Sequence, residues 1–227
     1  MNDDLRYALA MITLVPSVIG LYKFKRVSTS IHPFIIMIWL DAIMETITYL
    51  CIKLPANPQI QPVAVNSYML LNFLLFLYLV YRNEYLQKTS CLALSLIAMA
   101  VFTGSAVFNK TISVTFWYLL CFVSFAMLLL SIDILSKQIM SVKQKWSGNF
   151  WFWMSATSIL YNAQVLLIFG LYFFALFNTK TGKSIGNIQT FTNAVCYIFF
   201  TIALLKAPLV QKSNRPISII LKKTVNV

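Results

Sequence analysis

Apolar residues gather into seven long runs, at about 6–23, 33–52, 65–82, 90–108, 112–136, 151–176 and 187–206, separated by short polar segments. Crossing the hydrocarbon core of a bilayer takes about 20 apolar residues as a helix, and each run is near that length. The third and fourth are the shortest; the sixth is long enough to tilt or project. Irregular, open backbone cannot face lipid, so the runs must be helices. The connections are punctuated as helix ends should be. Pro33 opens the second run, Pro55, Pro58 and Pro62 follow it, and Asn109-Lys110 makes a tight turn. Gly148-Asn149 precedes the sixth run, Thr179 to Gly186 the seventh, and Pro208 closes it. The expected fold is an all-α polytopic bundle of seven transmembrane helices over residues 1–206. Residues 207–227 form a short basic tail whose apolar patch, Ile217 to Leu221, either lies on the inner leaflet or stays disordered.

Composition fits a chain solvated by lipid. Hydrophobic residues make up 59% and charged residues 11%, against roughly 45–50% and about 25% in ordinary globular domains. The net charge of +12 raises the question of nucleic acid. The basic residues, however, sit between the apolar runs and form no stripe or recognisable module, so none is expected to bind. Their distribution orients the chain instead. With the N-terminus outside, 13 Lys and Arg fall in cytoplasmic segments and 5 in outer ones, as the positive-inside bias requires. The expectation is N-terminus out, C-terminus in, multi-pass in the inner or plasma membrane. Lys23, Lys25, Arg26, Lys143, Lys145, Lys222 and Lys223 are the expected contacts to anionic lipid. Asp3 and Asp4 stand where a signal peptide would be basic, so the first run is read as a retained helix. Trp117, Trp146, Trp151 and Trp153 lie at run ends and read as interfacial anchors; Trp39 lies within a run. Cys51, Cys91, Cys121 and Cys196 show no metal or redox spacing and read as small apolar residues without a disulfide.

Polar groups inside the spans carry the functional information. Asp41 and Glu45 stand four residues apart in the second run, on one helix face. Tyr68 and Asn72 share a face of the third. Ser155, Ser158 and Asn162 do so in the sixth, and Thr190, Asn193, Tyr197 and Thr201 in the seventh. The first run has Thr13 and Ser17 beside Pro16. At about 1.5 Å per residue, Glu45, Asn72 and Asn193 come out roughly 10–12 Å below the outer surface, with Asn162 at about 16–20 Å. Asp41 lies about one turn nearer the cytoplasm than Glu45. Two readings compete. These groups are either interhelical glue, at about 0.6 kcal/mol per contact, or the walls of a polar cavity around Glu45. A carboxylate in mid-helix costs about 2.5–3.5 kcal/mol, which glue does not repay. The expected ligand-binding set is Asp41, Glu45, Tyr68, Asn72, Asn162, Asn193 and Tyr197.

Several chemistries lack their residues. His32 is the single histidine and lies before Pro33, so a multi-histidine zinc site is not expected. A retinal Schiff base would need a lysine in the middle of the seventh run, where only Lys206, at its end, is near. No cofactor, metal or catalytic residue is expected. The layout, with Trp39 to Glu45 and Asn66 to Asn72 as its most suggestive segments, resembles the seven-helix input modules of bacterial membrane sensors and small orphan seven-helix proteins. That resemblance implies a non-enzymatic receptor-like or accessory subunit acting through a membrane or cytoplasmic partner. A small-solute or proton-coupled transporter is the alternative, and a lipid-modifying enzyme using Asp41 and Glu45 as an acid–base pair is the second.

Overall fold

A computed structural model of the chain describes residues 11–53, 60–109, 116–140, 148–173 and 179–210. Among them the fold is all-helical, with seven α-helices and no strand beyond one isolated bridge. The helices are α1 (Leu14–Lys23), α2 (His32–Lys53), α3 (Ile60–Arg82), α4 (Lys88–Asn109), α5 (Trp117–Met140), α6 (Phe150–Phe173) and α7 (Thr179–Lys206). Each corresponds to one apolar run. Five of them, α2 to α5 and α7, hold stretches long and apolar enough to cross a membrane. Helix α6 has no charged residue in 24 positions. Helix α1 is described over 10 residues. Pro16 sits in its first turn, where a missing N–H is tolerated.

Helix α1 packs on α2 and α7, α2 on α3, α3 on α5, α5 on α6, and α6 on α7, so six helices close a ring. Helix α4 leans on α3 and α5 from outside. Burial agrees: 11% of the α4 span is buried, against 28–39% in the other four long apolar spans. The side chains that fill the ring are aromatic and aliphatic. Phe34 meets Phe150 and Phe200 edge-on at 5.1 and 5.5 Å, and Phe73 meets Phe122 at 5.9 Å. Gly20 lets α1 approach α2 closely, since a Cβ there would stand 3.0 Å from Ile35 Cγ2.

The end of the bundle where α1 and α7 finish is tied by backbone. Val27 bridges to Leu209, with Ser28 N–H donating to Pro208 O at 3.0 Å and Val210 N–H to Arg26 O at 2.8 Å. Lys23 Nζ donates to the carbonyls of Leu204 and Leu205 at 2.9 and 3.0 Å. It therefore caps the negative end of the α7 dipole. Two of its three donors are thus engaged by a neighbouring helix. Arg26 donates to Tyr22 Oη at 2.6 Å and lies over the same ring. Lys143, Lys145, Lys222 and Lys223 lie outside the described residues, as does Trp146. His32 stacks on Phe24 at 4.1 Å, its Nε2 2.9 Å from Phe24 O, as a structural residue opening α2.

At the same end, α3 closes with a Schellman motif. Tyr85 N–H donates to Val80 O, Glu84 N–H donates to Tyr81 O, and Glu84 takes the left-handed φ of 64°. Tyr85 then packs at a tilt against Trp151, with 4.7 Å between ring centres. Its hydroxyl accepts from Gln138 Nε2, and Gln138 Oε1 accepts from Asn149 Nδ2. Asn149 also caps α6 by accepting from Trp151 N–H at 2.9 Å. Trp151 and Trp153 are thus packed against protein, Trp153 on Phe199 at 5.3 Å, and both join the core as well as the helix end.

Candidate functional site

Inside the ring, α2, α3, α5, α6 and α7 line a cavity; among the described residues α1 and α4 contribute nothing to its wall. The volume open to water centres is about 70 Å³. Holding one water takes roughly 10–15 Å³ by the same measure, so the space suits a few waters or one small molecule. Phenylalanine and methionine dominate the wall, among them Phe34, Phe76 and Phe200 with Met37, Met69 and Met154. Methionine is deformable and polarizable, and it adapts to what it surrounds.

The polar part of the wall is built on one helix pair. Asp41 lies about 18 Å along α2 from Lys53, near the middle of that helix. Tyr68 Oη donates to Asp41 Oδ1 at 2.6 Å, and Asn72 Nδ2 donates to Tyr68 Oη at 3.1 Å. The 68/72 spacing places both side chains on one face of α3, one turn apart. Because the Tyr68 hydrogen is committed to the carboxylate, its oxygen can only accept from Asn72. The amide oxygen of Asn72 then points elsewhere: it is buried and has no partner. Tyr161 from α6 and Tyr197 from α7 complete the polar rim, both within electrostatic range of Asp41.

A second polar set stands on the α5–α6 side. Ser131 Oγ donates to Ser158 Oγ at 2.7 Å, while Asn162 Nδ2 donates to Ser158 O at 2.8 Å and to its Oγ at 3.2 Å. Ser158 and Asn162 also border the cavity, and both are buried.

Of the seven residues expected at the site, Asp41, Tyr68, Asn72, Asn162 and Tyr197 line this one cavity. Glu45 and Asn193 do not. Glu45 stays half-buried one turn from Asp41 and within its electrostatic range. Of the two carboxylates, Asp41 rather than Glu45 borders the cavity. Tyr161, Ser124 and Cys196 line it as well, although sequence reasoning passed over them. Tyr161 had a readable signal: it lies three residues beyond Ser158 and adjoins Asn162, on the same polar side of α6. Other polar groups of the spans serve packing. Ser17 Oγ donates to Thr13 O at 3.1 Å, Trp39 Nε1 donates to Ser17 O at 3.2 Å, and Asn66 Oδ1 accepts from Phe116 N–H at 2.9 Å at the start of α5. Among the described residues no three His, Cys, Asp or Glu side chains cluster as metal ligands would.

Comparison with protein-family models, curated proteins and solved structures finds no match for this chain.

Proposed function

We propose that this chain is a seven-span protein of the cytoplasmic membrane, N-terminus outside and C-terminus inside. It binds a small ligand in the Asp41 cavity and acts without catalysis, as a receptor-like or accessory subunit. Five helices of spanning length, an uncharged α6 of 24 residues and the 13-to-5 bias of basic residues support the topology. The observation that carries the ligand reading is the cavity itself, at mid-bundle, with an unpartnered amide oxygen in its wall. Native interiors seldom leave such an atom unsatisfied without a reason, and a ligand in the cavity supplies one here.

Five helices meet at this space, so an occupant shifts the balance among all of them. Helix α3 carries Tyr68 and Asn72 in its middle and Tyr85 just past its end. Tyr85 connects through Gln138 to Asn149, the cap of α6. A small displacement of α3 on ligand binding therefore reaches the cytoplasmic connections, where a partner protein reads it. Lys25 and Arg26, exposed at that end of the bundle, hold it against anionic lipid, and the basic residues Lys143, Lys145, Lys222 and Lys223 add to that charge.

Two measurements test this. Cysteine labelling in intact cells should reach sites engineered at Pro55 to Pro62 and Lys180 to Lys183, and miss sites at Lys143 to Lys145. In detergent, a thermal-shift screen of small molecules should give stabilisers of the parent that lose their effect in Ser124→Phe, which fills the cavity from α5. Stabilisers that act equally on both proteins would place binding elsewhere and end the cavity reading.

A further inference from the structure

We propose that the ligand of this cavity is a small organic ammonium cation, held by Asp41 and Asn72 and enclosed by aromatic faces. The inference rests on the reading above that the cavity is a ligand site, and it names the chemistry of the occupant.

Hydrogen-bond bookkeeping points to a donor. The chain from Asn72 to Tyr68 to Asp41 runs in one direction and commits the Tyr68 hydroxyl and one Asn72 N–H within the wall. Two acceptors remain: the second carboxylate oxygen of Asp41 and the buried, unpartnered Oδ1 of Asn72. An alkylammonium group brings up to three N–H donors and no acceptor, which matches that surplus. A carboxylate or phosphate would add acceptors to acceptors.

Charge points the same way. No Lys, Arg or His lines the cavity among the described residues, so Asp41 has no internal counter-ion. A carboxyl withdrawn from water without a partner in the chain either keeps its proton or pairs with a cation from outside, and in this proposal Asp41 takes the second course. The wall also favours a particular sort of cation. Phe34, Phe76, Phe200, Tyr68, Tyr161 and Tyr197 surround the space, and aromatic faces attract ammonium groups within about 6 Å of their centres. A hard metal ion needs roughly six or more oxygen ligands in place of its hydration shell; this wall is mostly carbon and sulfur. The size bound is tight, since about 70 Å³ is roughly half of an apolar cavity that holds benzene. The occupant is accordingly a compact head of a few heavy atoms, primary or methylated, either free or at the end of a lipid.

The test uses the full chain in detergent at constant chloride. Melting curves are taken with tert-butylammonium, tetramethylammonium and the neutral isostere tert-butanol. The cations should raise the Tm saturably, with affinity about tenfold or more above that of tert-butanol, and Asp41→Asn should erase the difference. Asn72→Leu should weaken tert-butylammonium and leave tetramethylammonium nearly unchanged, because only the former has N–H donors. If Asp41→Asn does not fold, the cation-to-isostere comparison on the parent still decides. Nanodiscs of phosphatidylcholine against phosphatidylglycerol separate the sources: an Asp41-dependent shift from phosphatidylcholine alone assigns the ammonium to a lipid headgroup. Equal binding of tert-butanol and the cations, lost in Ser124→Phe, overturns the ammonium proposal and leaves the ligand site standing. An absence of any stabiliser sensitive to Ser124→Phe overturns both.

Discussion

Two polar sets face one another across the same cavity. Between α5 and α6, Ser131, Ser158 and Asn162 bond to one another and to a helix carbonyl, and no buried oxygen or nitrogen of the three is left over. Between α2 and α3, Asp41, Tyr68 and Asn72 also form a chain, but it ends in a carboxylate without a cation and an amide oxygen without a donor. The first set does what glue does: its hydroxyls and the Asn162 amide N–H bond within the set and to the helix, and fix two helices. The second holds capacity open at a cost in stability. Identity of residue type does not separate them, because each contains an asparagine one turn from a hydroxyl. What separates them is whether the polar atoms are closed on themselves, and function is to be sought where they are not.

The largest expected effect comes from closing the open set. Asp41→Asn keeps the Tyr68 donor bond, since Tyr68 can donate to the amide oxygen, and it removes the ionisable group from mid-helix. A carboxylate at a helix centre costs about 2.5–3.5 kcal/mol, part of which Tyr68 relieves. The variant should therefore be more stable than the parent by about 1–3 kcal/mol in the absence of ligand. Unfolding in graded denaturing detergent measures this. A loss of stability would mean that Asp41 is as structural as Ser158, and the contrast between the two sets would vanish.

Breaking the closed set should cost less and behave differently. Ser158→Ala leaves the Ser131 hydroxyl without its acceptor and removes one partner of Asn162. Interhelical hydrogen bonds in bilayers are worth about 0.6 kcal/mol on average and up to about 1.7, so the loss should fall in that interval. The double variant Ser131→Ala with Ser158→Ala should recover part of it, because removing both partners leaves no orphan. Fully additive losses in that cycle would show that the 2.7 Å contact carries no coupling. Neither single variant should change the preference for a cation, which is the property assigned to the other set.

How far the sequence led follows from the same residues. Hydropathy alone marks the seven helices, because a run of about 20 apolar residues has few other uses. Helical spacing alone brings Asp41, Tyr68, Asn72, Asn162 and Tyr197 to inward faces, and the structure places all five around one cavity. Depth was harder to read. Helix α3 begins at Ile60 and α7 at Thr179, earlier than the apolar runs suggest, since polar first turns do not register as apolar. Each residue so added shifts a depth by about 1.5 Å, and a shift of one turn is enough to exchange Glu45 for Asp41. Charge counting likewise marks Lys23 as basic and inner but cannot show that α7 carbonyls engage two of its donors. Tyr161 escaped because a tyrosine in an apolar run reads as bulk until its neighbours across the bundle are known.

The smallest expected effect sharpens the comparison further, since it concerns two carboxylates on one helix. Glu45 follows Asp41 by one turn and shares its face, yet it lies outside the cavity wall and stays half-buried. If the site is defined by the cavity and not by acidity as such, Glu45→Gln should be nearly silent. Stability should stay within about 0.5 kcal/mol of the parent, the range of substitutions away from special features. Affinity for tert-butylammonium should change by no more than about twofold, equivalent to roughly 0.4 kcal/mol, through loss of a charge that acts at a distance. The measurement is the same cation titration on both variants side by side, at low and at high salt. Added salt should weaken any residual Glu45 contribution, as screening of a partly exposed charge requires, and leave the Asp41 contribution largely intact. A Glu45→Gln variant that loses the cation as completely as Asp41→Asn would move the binding site one turn outward, back to where depth counting had placed it.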